Sequence, residues 1–252
     1  MDMNMDNRAV LVTGAGNGIG RETALQMAAL GAVVGVNDLK EEFVEATVKA
    51  ITEAGGRAFG VVENVSTQEG IQAAVQRVKA HCGRFDVLVN NAAWVRYQAI
   101  PDIRPDTVDR MVDVGFKGVI WGIQAASEAM DTERGGAIIN VASTAALRST
   151  LNSVVYSGIK SGVLGITRAA AAELGSQNIR VNAVCPSAVP TEGTQRNRNA
   201  ERDAARAAKT PLGRLGTVTD IANTICFLAS DRAGFMSAQA LVVDGGVTFT
   251  NL

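Results

Sequence analysis

Short apolar runs alternate along the chain with longer segments in which apolar and polar positions follow a helical period. This alternation is typical of βαβ units, in which helices connect the strands of a parallel sheet. The short runs predict strands at 9–12, 32–36, 58–62, 87–89, 137–141, 180–184 and 240–243. The periodic segments predict helices at 18–30, 41–54, 67–81, most of 105–130, 155–174, 201–208 and 219–229.

No linker, repeat or low-complexity segment interrupts the alternation. The simplest interpretation is one α/β domain over residues 1–252, built on a parallel sheet with helices packed against it. A chain of this length can bury a large core. Apolar residues make up 47% and charged residues 19% of the chain, and this balance argues against extensive disorder.

The net charge and the cysteines of the chain limit which partners the protein can bind and which cellular compartment suits it. A formal net charge of −1 offers no field for nucleic acid or an anionic membrane surface. No apolar run reaches the ~18 residues of a membrane helix, and residues 1–8 lack the form of a signal peptide. Cys82, Cys185 and Cys226 are odd in number and widely spaced, which favours free thiols over a disulfide or a metal site. We therefore expect a cytoplasmic protein with no metal centre and no nucleic-acid or membrane partner.

A glycine-rich segment, residues 13–20, follows the first strand and opens the first helix. Its spacing is Gly14-x-x-x-Gly18-x-Gly20. Glycines in this context let the backbone turn tightly and approach a pyrophosphate, whose charge lies on the N–H groups at the helix N-terminus. The segment therefore predicts a dinucleotide phosphate site. An ordinary tight strand-to-helix turn is the alternative.

Asp38 stands at the end of the second strand, eighteen residues beyond Gly20. A carboxylate there can accept hydrogen bonds from both adenosine ribose hydroxyls and would repel a 2′-phosphate. Asp38 therefore favours NAD over NADP, although the nearby Lys40 weakens the inference slightly. A turn or N-cap role for Asp38 is the structural alternative.

Tyr156 and Lys160 form the candidate proton-transfer pair. Four residues apart on a helix, their side chains lie on one face. A free phenol ionises near pH ~10, and a neighbouring ammonium lowers the pKa toward the working range. Ser143, at the carboxyl end of the fifth strand, can hydrogen-bond the same substrate oxygen. Alternatively, Tyr156 and Lys160 only stabilise a helix surface.

Six motifs occur in the order found in short-chain dehydrogenases/reductases, and the chain resembles that family from about residue 8 to 246. The motifs are residues 13–20, 90–92, Ser143, 156–160, 182–186 and 243–246. The resemblance implies a Rossmann-like, doubly wound parallel sheet of seven strands with helices on both faces. It also implies catalysis by Ser143, Tyr156 and Lys160, with Lys160 additionally bonding the nicotinamide ribose.

The resemblance further implies a set of coenzyme-lining residues. Val189 and Thr191 match positions that hold the nicotinamide carboxamide, and Asn64 and Val65 match the pair beside the adenine. The other matching positions are Gly14, Asn17, Gly18, Ile19, Gly20, Asp38, Asn90 and Ala92.

Four positions depart from the family pattern. Asn64 replaces the usual Asp, and its amide oxygen can still accept from an adenine amino group. Ala93 and Ser187 replace usual glycines, and Ser187 either faces the substrate or simply tolerates the turn. Gly115 stands where the family commonly has a fourth catalytic residue, an Asn whose backbone carbonyl contacts a water leading to the lysine. Glycine keeps a carbonyl and weakens a helix interior, so our hypothesis is a proton relay that survives in looser form.

The sequence says little about the substrate. Trp94 or Tyr97 could stack on a hydrophobic substrate, or either could be packing beneath a lid. By resemblance, residues 191–210 form a substrate lid. Its basic excess could meet an anionic substrate, although a solvated helix face explains it more simply. Those basic residues are Arg196, Arg198, Arg202, Arg206 and Lys209.

Three functions remain open on these grounds. The leading interpretation is an NAD-dependent dehydrogenase of a secondary alcohol, reversible as a ketone reductase, with Tyr156 as acid and base. The second is an NADPH-dependent 3-oxoacyl reductase, against which Asp38 argues. The third is a non-catalytic nucleotide-binding protein. The resemblance also points to a homotetramer, and the small residues of 115–126 and 158–172 suit helices packed between subunits.

Overall fold

The structure is a computed structural model that describes residues 3–192 and 199–250. Within these ranges seven strands pair in parallel in the order β3-β2-β1-β4-β5-β6-β7. This sheet confirms the fold implied by the resemblance. The strands are β1 (Ala9–Val12), β2 (Val33–Asp38), β3 (Arg57–Val62), β4 (Val87–Asn90), β5 (Gly136–Val141), β6 (Ile179–Pro186) and β7 (Ala240–Val243).

The predicted helices are present, with ends shifted by a residue or two. One segment, 105–130, divides where five residues, Asp113–Lys117, form a π-helical turn. The α-helices are α1 (Gly18–Ala29), α2 (Glu41–Glu53), α3 (Gln68–Cys82), α4 (Pro105–Val112), α5 (Gly118–Ala129), α6 (Val154–Leu174), α7 (Ala200–Ala208) and α8 (Val218–Ala229). None of the helices in the described ranges has the length and apolar character needed to cross a membrane.

The sheet has a hydrophobic core on each face because successive strand residues point to opposite sides. In β1, Ala9 and Leu11 join the core formed with α3, α5 and α6. Val10 and Val12 join the other core, formed with α1, α2 and α8. Both faces are covered, so the central strands are continuously apolar, and their short runs could be read directly from the sequence.

The strand order reverses between β1 and β4, since β1 continues to β2 on one side while β4 lies on the other. In open parallel sheets this reversal leaves a crevice beyond the carboxyl ends of the strands, where ligands bind. Asp38 ends β2, and Gly14, Ala92, Ser143 and Ser187 follow the carboxyl ends of other strands. The topology therefore gathers the predicted site residues along one edge.

A series of hydrogen bonds between buried polar side chains links that edge of the sheet to the helices. Asn90 Nδ2 donates to Asn140 Oδ1 at 2.9 Å, and Asn140 Nδ2 donates to Thr167 Oγ1 at 3.0 Å. A Cβ added to Gly122 would lie 2.5 Å from Asn90 Oδ1, so glycine permits α5 to approach β4 this closely. Asn90 is thus a buried structural residue that fixes the end of β4.

Candidate active site

The glycine-rich loop is bonded directly to the end of β4. Thr13 Oγ1 accepts hydrogen bonds from the backbone N–H groups of Asn91 and Ala92, both at 3.0 Å. The Asn91 amide donates in return to the carbonyls of Thr13 and Gly14, at 2.8 and 3.1 Å. Asn91 was not among the predicted site residues by itself. Its role is visible only when the two loops are seen together.

The loop itself forms a cradle that fits a pyrophosphate. Gly14 and Gly18 have φ values of +62° and +56°, which side chains rarely adopt. A Cβ on Gly16 would lie 2.6 Å from Phe43 Cβ and 2.7 Å from Asp38 Oδ2. Asn17, the N-cap residue of α1, makes no side-chain capping bond. The loop thus brings bare backbone against the N-terminus of α1, where backbone N–H groups are suited to an anion.

Asp38 contacts this cradle. Its Oδ2 accepts from the Gly16 N–H at 3.2 Å, and its Oδ1 accepts from the Lys40 N–H at 3.3 Å. The second bond supports the turn before α2, as the structural alternative requires. The first bond places the carboxylate beside the loop, where an adenosine ribose attached to a bound pyrophosphate would reach it. Asp38 therefore supports the turn before α2, and its bond to an adenosine ribose stays a prediction.

Ser143, Tyr156 and Lys160 meet at the carboxyl ends of β5 and β6. Ser143 follows β5, and its Oγ accepts from the Ala145 N–H at 3.1 Å. Tyr156 and Lys160 lie on the same face of α6, with Lys160 Nζ 5.9 Å from the centre of the Tyr156 ring. Lys160 is 4% exposed, and its ammonium donates to the Val141 carbonyl at 2.6 Å. The predicted trio is therefore assembled.

The expected acidity of Tyr156 is wrong for the protein without a coenzyme. Burial raises the pKa of Tyr156 to about 12, opposed by a hydrogen bond with Ser143. Burial also lowers the pKa of Lys160 to about 8, because a charged form loses its hydration inside the protein. At neutral pH the lysine is still charged and the phenol is fully protonated. Tyr156 is therefore held as an acid.

The aromatic residue beside Tyr156 is Tyr97. The two rings make an edge contact with centroids 5.6 Å apart. Tyr97 is 56% exposed, so its ring partly covers that of Tyr156 and also faces solvent. Trp94 instead has the guanidinium of Arg110, a residue of α4, 4.5 Å from its ring centre. Sequence reasoning placed Trp94 in the substrate set and weighed Tyr97 only beside it, because their spacing alone cannot tell which ring faces the catalytic residue.

Of the two positions predicted beside the adenine, Asn64 is engaged elsewhere. Its Oδ1 accepts from the N–H and the hydroxyl of Ser66, at 3.1 and 2.8 Å. These bonds form a local turn before α3, so the oxygen expected to face an adenine amino group already has two donors. Val65 is buried, and its carbonyl lies against α5 at Gly118.

The segment after β6 runs past the glycine-rich loop. Ser187 continues the strand edge, where its N–H donates to the Val243 carbonyl at 3.4 Å. Val189 packs into the core beneath α8, and Ile19 borders the same core from α1. Thr191 lies against α1, since a Cβ on Gly18 would be 3.1 Å from Thr191 Cγ2. Val189 and Thr191 thus follow β6 close to the start of α1, and their contact with the nicotinamide carboxamide stays a prediction.

Glu192 is a site residue that sequence reasoning missed. Its Oε2 accepts from the Gly18 N–H at 2.9 Å, across 174 residues. No local motif signals this contact. Part of the predicted lid, including Arg196 and Arg198, lies outside the described residues, whereas α7 carries Arg202 and Arg206.

Gly115 is buried in the π-helical turn between α4 and α5. A Cβ at this position would lie 3.2 Å from Ile159 Cγ2, next to Lys160 on α6. A π-turn interrupts the regular pattern of backbone bonds and is frequent at functional sites. The regular helix is therefore interrupted at Gly115, and the looser relay stays a prediction.

One family model and three known proteins match the chain over nearly its whole length. A family model described as enoyl-(acyl carrier protein) reductase matches residues 14–248. The 3-oxoacyl-(acyl-carrier-protein) reductase FabG of Thermotoga maritima is 35% identical over 97% of this chain and 99% of its own. A 7α-hydroxysteroid dehydrogenase solved with NADH and 7-oxoglycochenodeoxycholic acid has a TM-score of 0.93 and 31% identity, covering 97% of this chain and 96% of that one.

The third protein was solved with the other nicotinamide coenzyme. It is a gluconate 5-dehydrogenase from Burkholderia cenocepacia in complex with NADP and tartrate. Its TM-score is 0.93 at 30% identity, covering 99% of this chain and 98% of that one. The similar structures thus include one with NADH and one with NADP, so similarity alone does not select between the coenzymes.

The buried Lys160 predicts a pH-dependent stability. Its folded pKa of about 8 lies below the value of ~10.4 in an unfolded chain, so between these values the unfolded state binds more protons. Raising the pH from 8 to 10 should therefore stabilise the wild type relative to Lys160→Met by about 1 kcal/mol per pH unit. Urea unfolding of both proteins across this range measures the difference. Lys49→Met, at an exposed position on α2, is the control and should show no such trend. A constant difference for Lys160→Met would contradict the assignment.

Proposed function

The chain belongs to the short-chain dehydrogenase/reductase family, and we propose that it is an NAD-dependent dehydrogenase of a secondary alcohol, reversible as a ketone reductase. It is an oxidoreductase that acts on CH–OH or keto groups, so the non-catalytic alternative is set aside. The observation that carries the proposal is the meeting of Ser143, Tyr156 and Lys160 beside the glycine cradle. The residues proposed for proton transfer and those proposed for dinucleotide binding thereby lie at one edge of the sheet.

Tyr156 is the proposed acid and base. In the reductive direction its neutral hydroxyl gives a proton to the oxygen of the forming alkoxide, and in the oxidative direction it takes the proton of the alcohol. Ser143 is proposed to hold the same oxygen, because its hydroxyl lies within hydrogen-bonding reach of Tyr156 and is held in place by the Ala145 N–H at 3.1 Å. Lys160 supplies a positive charge that is still present at pH 7 and would stabilise the Tyr156 phenolate left after Tyr156 gives up its proton.

The residues around the cradle fit a nicotinamide dinucleotide. When bound, such a coenzyme would give or accept a hydride at C4 of its nicotinamide ring. Gly14, Gly18 and Gly20 would admit the pyrophosphate to the start of α1, and Asp38 would meet the adenosine ribose. Val189 and Thr191 are proposed to hold the carboxamide end. Asn90 and Ala92 support the cradle through β4, and Asn17 and Ile19 flank the first turn of α1.

A second candidate is an NADPH-dependent 3-oxoacyl reductase. The observation that favours it is the 35% identity with the FabG protein of Thermotoga maritima over 97% of this chain. Asp38 argues against NADPH, because its carboxylate lies beside the loop where a 2′-phosphate would have to fit. The two candidates share the same proton chemistry. They differ in coenzyme and in the length of the substrate.

The assembly and compartment are further proposals. We propose a homotetramer packed partly through α5 and α6. Support comes from Gly158 and Gly165 on α6, where an added Cβ would meet nothing within 4 Å, so that this helix face is open to another subunit. The whole chain is proposed to form one domain, with 191–210 as its lid. A cytoplasmic location is proposed on the strength of three free cysteines, of which Cys185 and Cys226 are buried.

Replacing the phenol tests the proposed chemistry. Tyr156→Phe keeps the ring but removes the transferable proton, so we expect kcat/KM to fall by at least about 10²-fold. Cyclic, steroid-like, sugar and hydroxyacyl alcohols assayed with NAD would first identify a working substrate. Tyr97→Phe, which loses the neighbouring hydroxyl, should keep most of its activity. Undiminished turnover by Tyr156→Phe would refute the mechanism.

Asp38 tests the choice of coenzyme. Asp38→Asn keeps an oxygen that can accept from Gly16 but removes the charge that repels a 2′-phosphate. We expect the ratio of kcat/KM for NAD to that for NADP to fall by at least about tenfold. The matched control is Glu42→Gln, which removes an exposed charge from the first turn of α2. A wild-type protein that prefers NADPH would overturn the argument from Asp38.

Gly115 tests the proton relay. If the relay works through the backbone alone, Gly115→Asn should change kcat by less than about tenfold, well below the ~10²–10⁴ that a general acid–base step contributes. Gly115→Ala introduces the same Cβ contact with Ile159 without an amide and serves as the control. Turnover should be followed across pH for both variants. A larger rise specific to asparagine would show that the native relay is impaired.

A further inference from the structure

Glu192 places a carboxylate at the start of α1, the position where the coenzyme pyrophosphate is proposed to bind. Its Oε2 accepts from the Gly18 N–H at 2.9 Å. Gly18 is the first residue of α1, and the first N–H bonded within the helix itself is that of Arg21, to Asn17. The Gly18 N–H is therefore one of the donors that the helix leaves for an outside acceptor.

The local sequence does not supply that acceptor. Asn17 makes no capping bond, and the first turn of α1 carries no acidic residue. Helices α3 and α8 differ, because Thr67 and Thr217 accept from backbone N–H groups of their own first turns. Glu192 arrives from the segment after β6, and Thr191 beside it packs on Gly18. The carboxylate thus meets the positive end of α1 as an internal anion.

We infer that Glu192 is an internal competitor of the coenzyme and sets its affinity. This inference rests on the proposed function, because it assumes that the pyrophosphate binds at the start of α1. A pyrophosphate needs the N–H that Glu192 occupies, so the carboxylate must leave before the coenzyme is fully bound. Binding of the coenzyme then breaks the bond between Glu192 and Gly18 and the attraction of the carboxylate to the start of α1. Coenzyme binding is weaker by that amount, and the coenzyme is released more easily.

Direct competition can be separated from simple charge repulsion by two substitutions. Glu192→Gln keeps the length of the side chain but removes its charge, which weakens its hold on the helix terminus. Glu192→Asp keeps the charge but is about 1.5 Å shorter and no longer reaches Gly18. Competition predicts tighter coenzyme binding in both variants. Long-range repulsion predicts it in the glutamine variant alone.

The measurement is the Kd for NADH, followed by its fluorescence, and the Kd for ADP-ribose, which has the pyrophosphate but no nicotinamide. Both should fall by about three- to tenfold in Glu192→Gln and Glu192→Asp. Glu133→Gln, an exposed change before β5 at the opposite edge of the sheet, should leave both constants unchanged. The Tm of the coenzyme-free protein should also fall in both Glu192 variants, while that of the NADH-saturated protein should not.

Two results would overturn the inference, and they are distinguishable. Unchanged constants in both Glu192 variants, or a change in the glutamine variant alone, would show that Glu192 does not compete for the site. If no protein in the series binds NADH, NADPH or ADP-ribose, the proposed function itself fails, and the inference fails with it.

Discussion

Burial of Lys160 is the constraint on which the candidate site depends. A charged ammonium inside a protein is costly unless it is bonded, and here the Val141 carbonyl at the end of β5 accepts from it at 2.6 Å. That bond fixes the approach of α6 to the sheet and thereby sets the position of Tyr156, one turn earlier. The same apolar surroundings that lower the pKa of Lys160 raise that of Tyr156. The site therefore holds a charged ammonium and a neutral phenol side by side.

The fold could be predicted because its signals are local. The strands of a sheet covered on both faces are short apolar runs, so β1 and β7 have the predicted ends. β6 was predicted two residues too short at its carboxyl end, since its extension to Pro186 depends on pairing with Val243 in β7. The spacing of Tyr156 and Lys160 was equally informative, because any helix places residues four apart on one face.

The chemistry of the site was less predictable because it depends on packing between distant segments. The sequence shows that the Lys160 ammonium stands near the Tyr156 phenol. It does not show that burial outweighs this ammonium in setting the pKa of Tyr156. Asn64 was assigned to an adenine before its bonds with Ser66 were visible. The sequence did not show that Arg110 from α4 lies over the ring of Trp94, whose contact with a substrate stays a prediction. Glu192 reaches Gly18 across 174 residues, a contact that no spacing rule describes.

The high pKa of Tyr156 constrains how a reversible reaction can proceed. Because burial raises the pKa of Tyr156, its proton is held tightly at pH 7, and alcohol oxidation requires something that lowers this pKa. Lys160 alone does not supply that help. Beside the positive ring of an oxidised nicotinamide, Tyr156 would ionise more readily, as oxidation requires. Beside the neutral ring of the reduced form it would keep its proton, as ketone reduction requires. The protonation state of Tyr156 would then follow the redox state of the proposed coenzyme, and one half-buried phenol could serve both directions.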